Sequence, residues 1–548
     1  MFSLYFGRSN RSPVHRVLAA PAALIDDVYA ACPALREVAG GLGLILQVLL
    51  SEVSEPPGRT VPAPYRLICE IAGFEPHQIE QGNARANEVL DSVMQALATT
   101  NSFRLVEIEH SHGDRLARRL RLDRLPESVA AGSESARMTL NLDLALWREV
   151  PVLGRPRRLN RTASARREAE LKDSLPTYGN TVDLTQSLLQ YLNEATKQKT
   201  FSRLKREAGS PATQEFVRGR YPDAESFQRV AAVLRDVQFL AKPVYAPSAK
   251  TPRVHALGRN ATGLPSPVRR QITGALGWVE LDLAHAQVAC NARRWNVEAA
   301  MELLSDRRYS FWDDLLRHMG ADPASLREAQ TYGDFKGLLK PVVHGLSFGM
   351  GARRIMRFGL QDGEEPDTES ARLIESVTNS TFEEAGRRLC SHRLLSAMLE
   401  ARREMYRRIR EEGGWTDPFG RHHPYEVEPR RPGEHWDRGN EGSLLAIDTQ
   451  ATELLLLEPV IRAAIDGLNE AKKRNEQPSF RIVLWQHDGF TIKPRQRSRA
   501  ETEVRKLQRL VCERATELGI PTALTVDVGP DIEPPWPEVQ PVSNAADT

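Results

Sequence analysis

The chain has 548 residues, 41% of them hydrophobic, which allows several cores and roughly two to four domains and excludes a small module stapled by disulfides or metal. Its 74 basic and 72 acidic residues leave a formal charge of +2, so bulk charge implies no partner and any nucleic-acid surface must come from local clustering. The five cysteines, Cys32, Cys69, Cys290, Cys390 and Cys512, lie far apart without a CxxC pair, which speaks against zinc or dithiol chemistry and for free thiols in a reducing, cytoplasmic setting.

In chain order, Met1 to Ala20 contains Arg and Ser and no acid, a faint likeness to a transit peptide, but it lacks a signal peptide's apolar region. The longest apolar run, Val38 to Leu50, is shorter than the roughly 20 residues of a membrane helix and reads as a buried helix, so no membrane partner is expected. Tyr65 to Ala72 and Asn83 to Leu97 read as helices and Phe103 to Ile108 as a strand. That order allows a small winged-helix-like unit; an ordinary α/β accessory domain is the plainer reading. Two basic stretches follow: Arg115, Arg118, Arg119, Arg121 and Arg124, then Arg155, Arg157, Arg158, Arg161, Arg166 and Arg167, the second resembling a linker. Such clusters suit phosphate contacts, although a charge run is more often a solvated face. Thr181 to Leu240 is mostly helical, and Pro243, Pro247 and Pro252 mark a boundary before Arg253.

The chemistry lies further on. Gly277-Trp278-Val279-Glu280-Leu281-Asp282 reads as an apolar strand delivering an aspartate at its end, followed by a helix-compatible run. Arg481 to Ile492 reads as a hairpin whose polar tip bears His487 and Asp488, with Gly489 permitting the tight turn. Two aspartates brought together at strand ends offer the hard oxygen ligands of a two-metal phosphoryl-transfer site; either one alone reads more simply as a turn or cap residue. Between them, Lys336, Lys340, His344 and Phe348 recur every fourth residue along a helix face, two cations for a triphosphate and two rings for a base. The plain alternative is an amphipathic core helix with solvated lysines.

Taken in this order, the three segments resemble motifs A, B and C of the family A (DNA polymerase I-like) polymerases and the related single-subunit phage-type RNA polymerases, over roughly residues 250 to 534. The resemblance implies that Asp282, the Leu283 carbonyl and Asp488 hold two Mg²⁺ ions, with Mn²⁺ a substitute. Lys336 would grip the γ-phosphate, and Lys340 the α- and β-phosphates while acting as an acid toward pyrophosphate. His344 and Phe348 would stack near the incoming base pair, and Gln287 would lie at the sugar. Arg253, the glycine-arginine segment ending at Arg421, Gln450 and His487 would contact primer and template. Leu524 to Gly529 resembles the closing palm strand.

The implied fold is α+β, a right-hand polymerase with an antiparallel-sheet palm, helical fingers and thumb, and an N-terminal accessory domain. The corresponding boundaries are 1–180 for the accessory domain, 181–250 for a thumb-like region, 251–300 and 426–534 for the palm, 301–425 for the fingers and 535–548 for a flexible tail. The implied function is a template-directed nucleotidyltransferase acting on a DNA primer-template and nucleoside triphosphates. No set of N-terminal acids suggests a proofreading nuclease. Three readings stay open: a DNA polymerase, an RNA polymerase or primase, and an idle nucleic-acid-binding factor. Gln287 fills the place of the DNA enzymes' glutamate, whereas His-Asp-Gly-Phe is closer to the RNA enzymes' His-Asp-Ser-Phe. Pro341, directly after Lys340, implies that the helix either starts there or kinks.

Overall fold

The computed structural model describes residues 19–539 apart from 51–60, 63–64, 75–82, 113–114, 154, 156, 159–160, 174, 176–180, 249–250, 258–259, 330, 361–365, 367, 429–437 and 487. Helices alternate with small sheets, and the described strand pairings are all antiparallel.

The apolar run after Val38 forms α1 (Gly41–Leu50), with every residue but the last buried. There follow β1 (Val61–Pro62), α2 (Tyr65–Ile71), α3 (Asn83–Ala98), β2 (Arg104–His112) and β3 (Arg115–Arg124). The strands form a sheet in the order β1-β3-β2. Leu44, Ile68, Leu90 and Leu120 meet in one core, so helices and sheet fold as a unit. The first basic stretch is thus a strand. The second, expected as a linker, contains a helix, Arg161–Asp173, anchored by buried Ser164 and Leu171. Its apolar positions are too few to show a helical period.

Residues 183–239 are mostly helical, as the periodicity predicts, and include α4 (Asp183–Glu194) and α5 (Ala224–Phe239). A hairpin then pairs Val244–Pro247 with Val254–Leu257, so a division at residue 250 falls inside one ladder.

The central sheet comprises β4 (Val279–Leu283), β5 (Phe480–Gln486), β6 (Gly489–Pro494) and β7 (Leu524–Val528), in the order β5-β6-β4-β7. β4, β5 and β6 are read correctly from apolar runs because they are buried along most of their length, which favours near-continuous Val, Ile and Leu. An open edge at β5 would leave N–H groups without partners. Two tyrosine hydroxyls accept them instead, Ile482 N–H on Tyr191 at 3.2 Å and Trp485 N–H on Tyr245 at 2.8 Å. Burial pushes the Tyr191 phenol up to about 12 and the Tyr245 phenol further in the same direction.

Around the sheet pack α6 (Ala286–Arg294), α7 (Phe311–His318), α8 (Tyr332–Ser347), α9 (Arg393–Glu412), α10 (Glu441–Leu456) and α11 (Ala500–Leu518). One core joins Leu188 of α4, Leu281 of β4, Leu339 of α8 and Leu507 of α11. Fully buried Asn291 ties three of these helices, donating to the Ser347 hydroxyl and accepting from Thr449, each at 2.5 Å.

Candidate active site

Asp282 lies on the central strand β4, opposite Gly489 of β6 and Thr525 of β7. The register with β6 brings the hairpin tip alongside: the Leu283 N–H donates to the Asp488 carbonyl at 3.1 Å. Glycine at 489 is required by this approach, because a Cβ there would lie 2.8 Å from both Asp282 Oδ1 and the Leu281 carbonyl. On the other side the Thr525 hydroxyl donates to the Asp282 carbonyl at 3.0 Å, fixing the strand from both edges. Beyond β4, His285 takes a left-handed φ of 52° at the start of α6 and turns the chain back over the sheet. Its ring packs edge-on against Phe311 of α7, centroids 5.9 Å apart.

Facing this sheet end is α8. It does not start at Lys340: it runs from Tyr332 to Ser347 with Pro341 inside, so Lys336, Lys340 and His344 share one helix. Proline removes the hydrogen bond to the Gly337 carbonyl, and Gly337 is exposed, so water can take its place. The C-terminal end is held firmly. Buried Arg402 donates to the carbonyls of Leu346 at 2.9 Å and Met350 at 2.7 Å. Gly349 has φ 86°, and a Cβ there would meet Tyr406 Oη at 2.8 Å and Gly442 Cα at 3.1 Å, which explains the glycine without any ligand. The Lys336 ammonium sits 5.2 Å from the centroid of the Trp312 ring.

Sheet end and helix enclose a cleft of about 260 Å³ lined by Asp282, Leu283, Gln287, Lys336, Lys340, His344 and Asp488, all singled out by sequence. Its electrostatics are uncompensated. Burial raises the Asp282 carboxyl well above the usual range, Asp488 and then Asp527 push it further, and Lys340 pulls it back. Burial lowers Lys336, and the neighbouring Lys340 lowers it more. Burial and Lys340 bring His344 down to about 4, and burial and Lys336 do the same for His285, so both rings are neutral at neutral pH. Gln287 is buried and its Oε1 has no hydrogen-bond partner among the described residues.

Among the described residues no three His, Cys, Asp or Glu side chains converge on a metal position. Two carboxylates beside a backbone carbonyl are nevertheless the donor set for magnesium, which takes one or two carboxylates from a protein and the rest from phosphates and water. A cation is also the charge that the raised Asp282 carboxyl lacks. The residues therefore fit the ion that the sequence implies.

No protein-family profile and no curated protein matches this chain. Among solved structures, it is similar to the "POL domain of Pol1 from M. smegmatis complex with DNA primer-template and dNTP", over 88% of this chain and 80% of that one, at 14% identity and a TM-score of 0.38. The likeness is distant, and no residue role is taken from it.

The remaining expected site residues lie elsewhere. Phe348 caps the C-terminus of α8 outside the cleft lining. Arg253 is bound to buried Glu453 of α10. Arg421 is held by Asp417, its Nε 2.9 Å from Oδ2, and Asp417 also holds His423 at 2.9 Å. Gln450 is half-buried on α10, and His487 lies outside the described residues. Sequence reasoning passed over His285, Phe311, Trp312, Thr525 and Asp527, which also line the cleft. Asp527 was legible only as part of a closing strand. Its place two residues along from Thr525, which pairs with Asp282, was the available signal.

Proposed function

We propose that this cleft is the active site of a template-directed nucleotidyltransferase, in the first place a DNA-directed DNA polymerase without proofreading. The observation that carries the reading is that Asp282 and Asp488 face Lys336 and Lys340 across one cleft, with no side-chain hydrogen bond or ion pair to any of the four among the described residues. On this reading the central sheet is the palm of a right hand, residues 301–425 are the fingers and 181–250 the thumb-like region.

Magnesium ions bound at Asp282, Asp488 and the Leu283 carbonyl would activate the primer hydroxyl and neutralise charge on the leaving oxygens. On this reading the two lysines hold the triphosphate against the sheet, and Lys340 passes a proton to departing pyrophosphate. Neutral His344 offers the base a flat face without adding charge. Gln450 would follow primer and template on this reading, whereas Arg253 and Arg421, held by Glu453 and Asp417, serve the fold. A second reading, an RNA polymerase or primase on the same residues, draws on Gln287: its unsatisfied Oε1 can accept a hydrogen bond from a ribose 2′-hydroxyl.

The test is synthesis on primed and unprimed templates with Mg²⁺, supplied with dNTPs or rNTPs. Primer extension with dNTPs is expected, falling at least about 10³-fold in Asp282→Ala and Asp488→Ala while duplex affinity is kept. Products from rNTPs that diminish in Gln287→Ala would establish the second reading. Absence of any product dependent on Asp488 would sink both and leave a nucleic-acid-binding factor.

A further inference from the structure

We propose that Arg203, Arg481 and Lys493 form a phosphate-binding site, separate from the cleft, where the helices of residues 183–239 meet the β5–β6 hairpin. Arg481 of β5 and Lys493 of β6 are directly opposite in the register. Their neighbours along the ladder, Phe480 with Pro494 and Ile482 with Ile492, are buried on the other face, so both cations project from one face at the end of the hairpin away from Asp488. Like charges placed opposite one another destabilise a sheet, which makes the pair a cost to folding. The third cation comes from the helix Ser202–Ala208. Phe201 and Leu204 pack with Val483 and Leu484 in one core, which seats the start of that helix on the hairpin and leaves exposed Arg203 beside the pair.

No carboxylate among the described residues neutralises this cluster. Arg481 Nη1 donates to the Ala195 carbonyl at 3.2 Å, a neutral partner. Burial lowers the Lys493 ammonium, and Arg203 and Arg481 lower it further, with no acid pulling it back. The omission is local: two residues along, Arg495 is paired with Glu476 at 3.3 Å. Three charges exceed what one carboxylate neutralises. They match a phosphate monoester, with about 1.5–2 negative charges and three acceptor oxygens, or two adjacent phosphodiesters. Guanidinium forks also suit the geometry of phosphate oxygens.

Lys493 lies four residues beyond Gly489, which is opposite Asp282, so about 13 Å of strand separates the cluster from the metal-binding end of the sheet. Thr491, on the same face between them, is fully buried, so the cluster is not an extension of the cleft. The phosphate belongs either to a nucleic-acid backbone or to a free polyphosphate. The first source rests on the proposed function; the site itself does not.

Full-length protein in EDTA is melted with and without tripolyphosphate, and separately titrated against a labelled primer-template duplex at several salt concentrations. Arg203→Ala/Lys493→Met, which leaves Arg481 on the Ala195 carbonyl, is expected to melt without ligand at the wild-type temperature or above it, because like charges are removed and no partner is orphaned. For a free polyphosphate, the double variant shifts by less than roughly half as much as wild type with tripolyphosphate, the contribution of Lys336 and Lys340 being common to both proteins. For a nucleic-acid backbone, it binds the duplex about tenfold more weakly near 0.1 M salt, with a log–log salt slope lower by roughly 1.8, two cations' worth. Arg203→Lys/Lys493→Arg is expected to keep whichever response wild type shows. Indifference of both probes to the double variant, a lower melting temperature without ligand, or an equal loss of binding to polyglutamate would each overturn the inference. Cluster-dependent binding without any synthesis would leave it standing while the proposed function falls. Synthesis with both probes indifferent to the cluster would sink it alone.

Discussion

The cleft and the joints behind it use the same residue types to opposite ends. In the cleft, the side chains of Asp282, Asp488, Lys336 and Lys340 have no hydrogen-bond or ion-pair partner among the described residues. Behind the cleft, at the far end of α6, Asp448 is fully buried and takes a fork from Arg294, 2.6 Å from Nη2 and 2.9 Å from Nε. Arg294 also reaches the Thr416 carbonyl at 3.2 Å and lies 5.7 Å from the Trp415 ring, locking the 414–424 hairpin to α6 and α10. A charge matched inside the chain holds elements together; a charge left unmatched is available to a ligand. That distinction separates Arg253 and Arg421, bound to carboxylates of the chain, from the two lysines facing open cleft.

The contrast can be broken most forcefully at a joint. Arg294→Ala leaves Asp448 buried without its counter-ion and is expected to cost about 3–5 kcal/mol in denaturant unfolding, with the cleft residues untouched. A loss within about 0.5 kcal/mol, the usual range for surface changes, would show that the joint does not hold the elements together.

Glu453 offers a sharper test, being a joint that is only half matched. Burial pushes its carboxyl up to about 7, Arg253 pulls it down and Asp488 pushes it up, while Glu453 Oε1 and Arg253 Nε lack partners among the described residues. Between the ordinary 4.5 of a glutamate and about 7, the folded protein holds a proton that the unfolded chain releases. Stability should therefore fall as pH rises through that window, by about 1–3 kcal/mol. Glu453→Gln should flatten that slope; equal slopes for the two proteins would place the titration elsewhere.

The smallest stability effect belongs to the cleft. Lys336→Met is expected to change unfolding by less than about 0.5 kcal/mol, because no partner is orphaned. Its KM for nucleotide should rise about tenfold, the worth of one charge-assisted contact. A large drop in melting temperature would mean that the ammonium serves packing against Trp312 and not a ligand.

What could be read from sequence was whatever local order carries. The strands ending at Asp282 and leading to Asp488 show as apolar runs, and the periodicity of Lys336, Lys340 and His344 survives the proline between them. The partners of Arg253, Arg294 and Arg421 could not be read in the same way. Glu453 lies 200 positions from Arg253 and Asp448 lies 154 from Arg294, so nothing near either arginine announces that it is occupied. Asp417, four residues before Arg421, was in plain view, yet helical or hairpin spacing alone does not say which neighbours pair. Asp527 and His285 entered the cleft through register and a left-handed turn, neither of which leaves a period in the sequence. The helix at 161–173 was missed because it buries so little.

The two tyrosine hydroxyls that close the outer edge of the sheet have a consequence for dissecting the protein. Tyr191 and Tyr245 both precede the segment that resembles a polymerase, so a fragment beginning at residue 250 would carry the cleft intact but present β5 with open donors to any neighbouring chain. Such a fragment should be the sticky one, and a fragment beginning near residue 181 the tractable one, whatever the boundaries of the cleft-lining segments suggest.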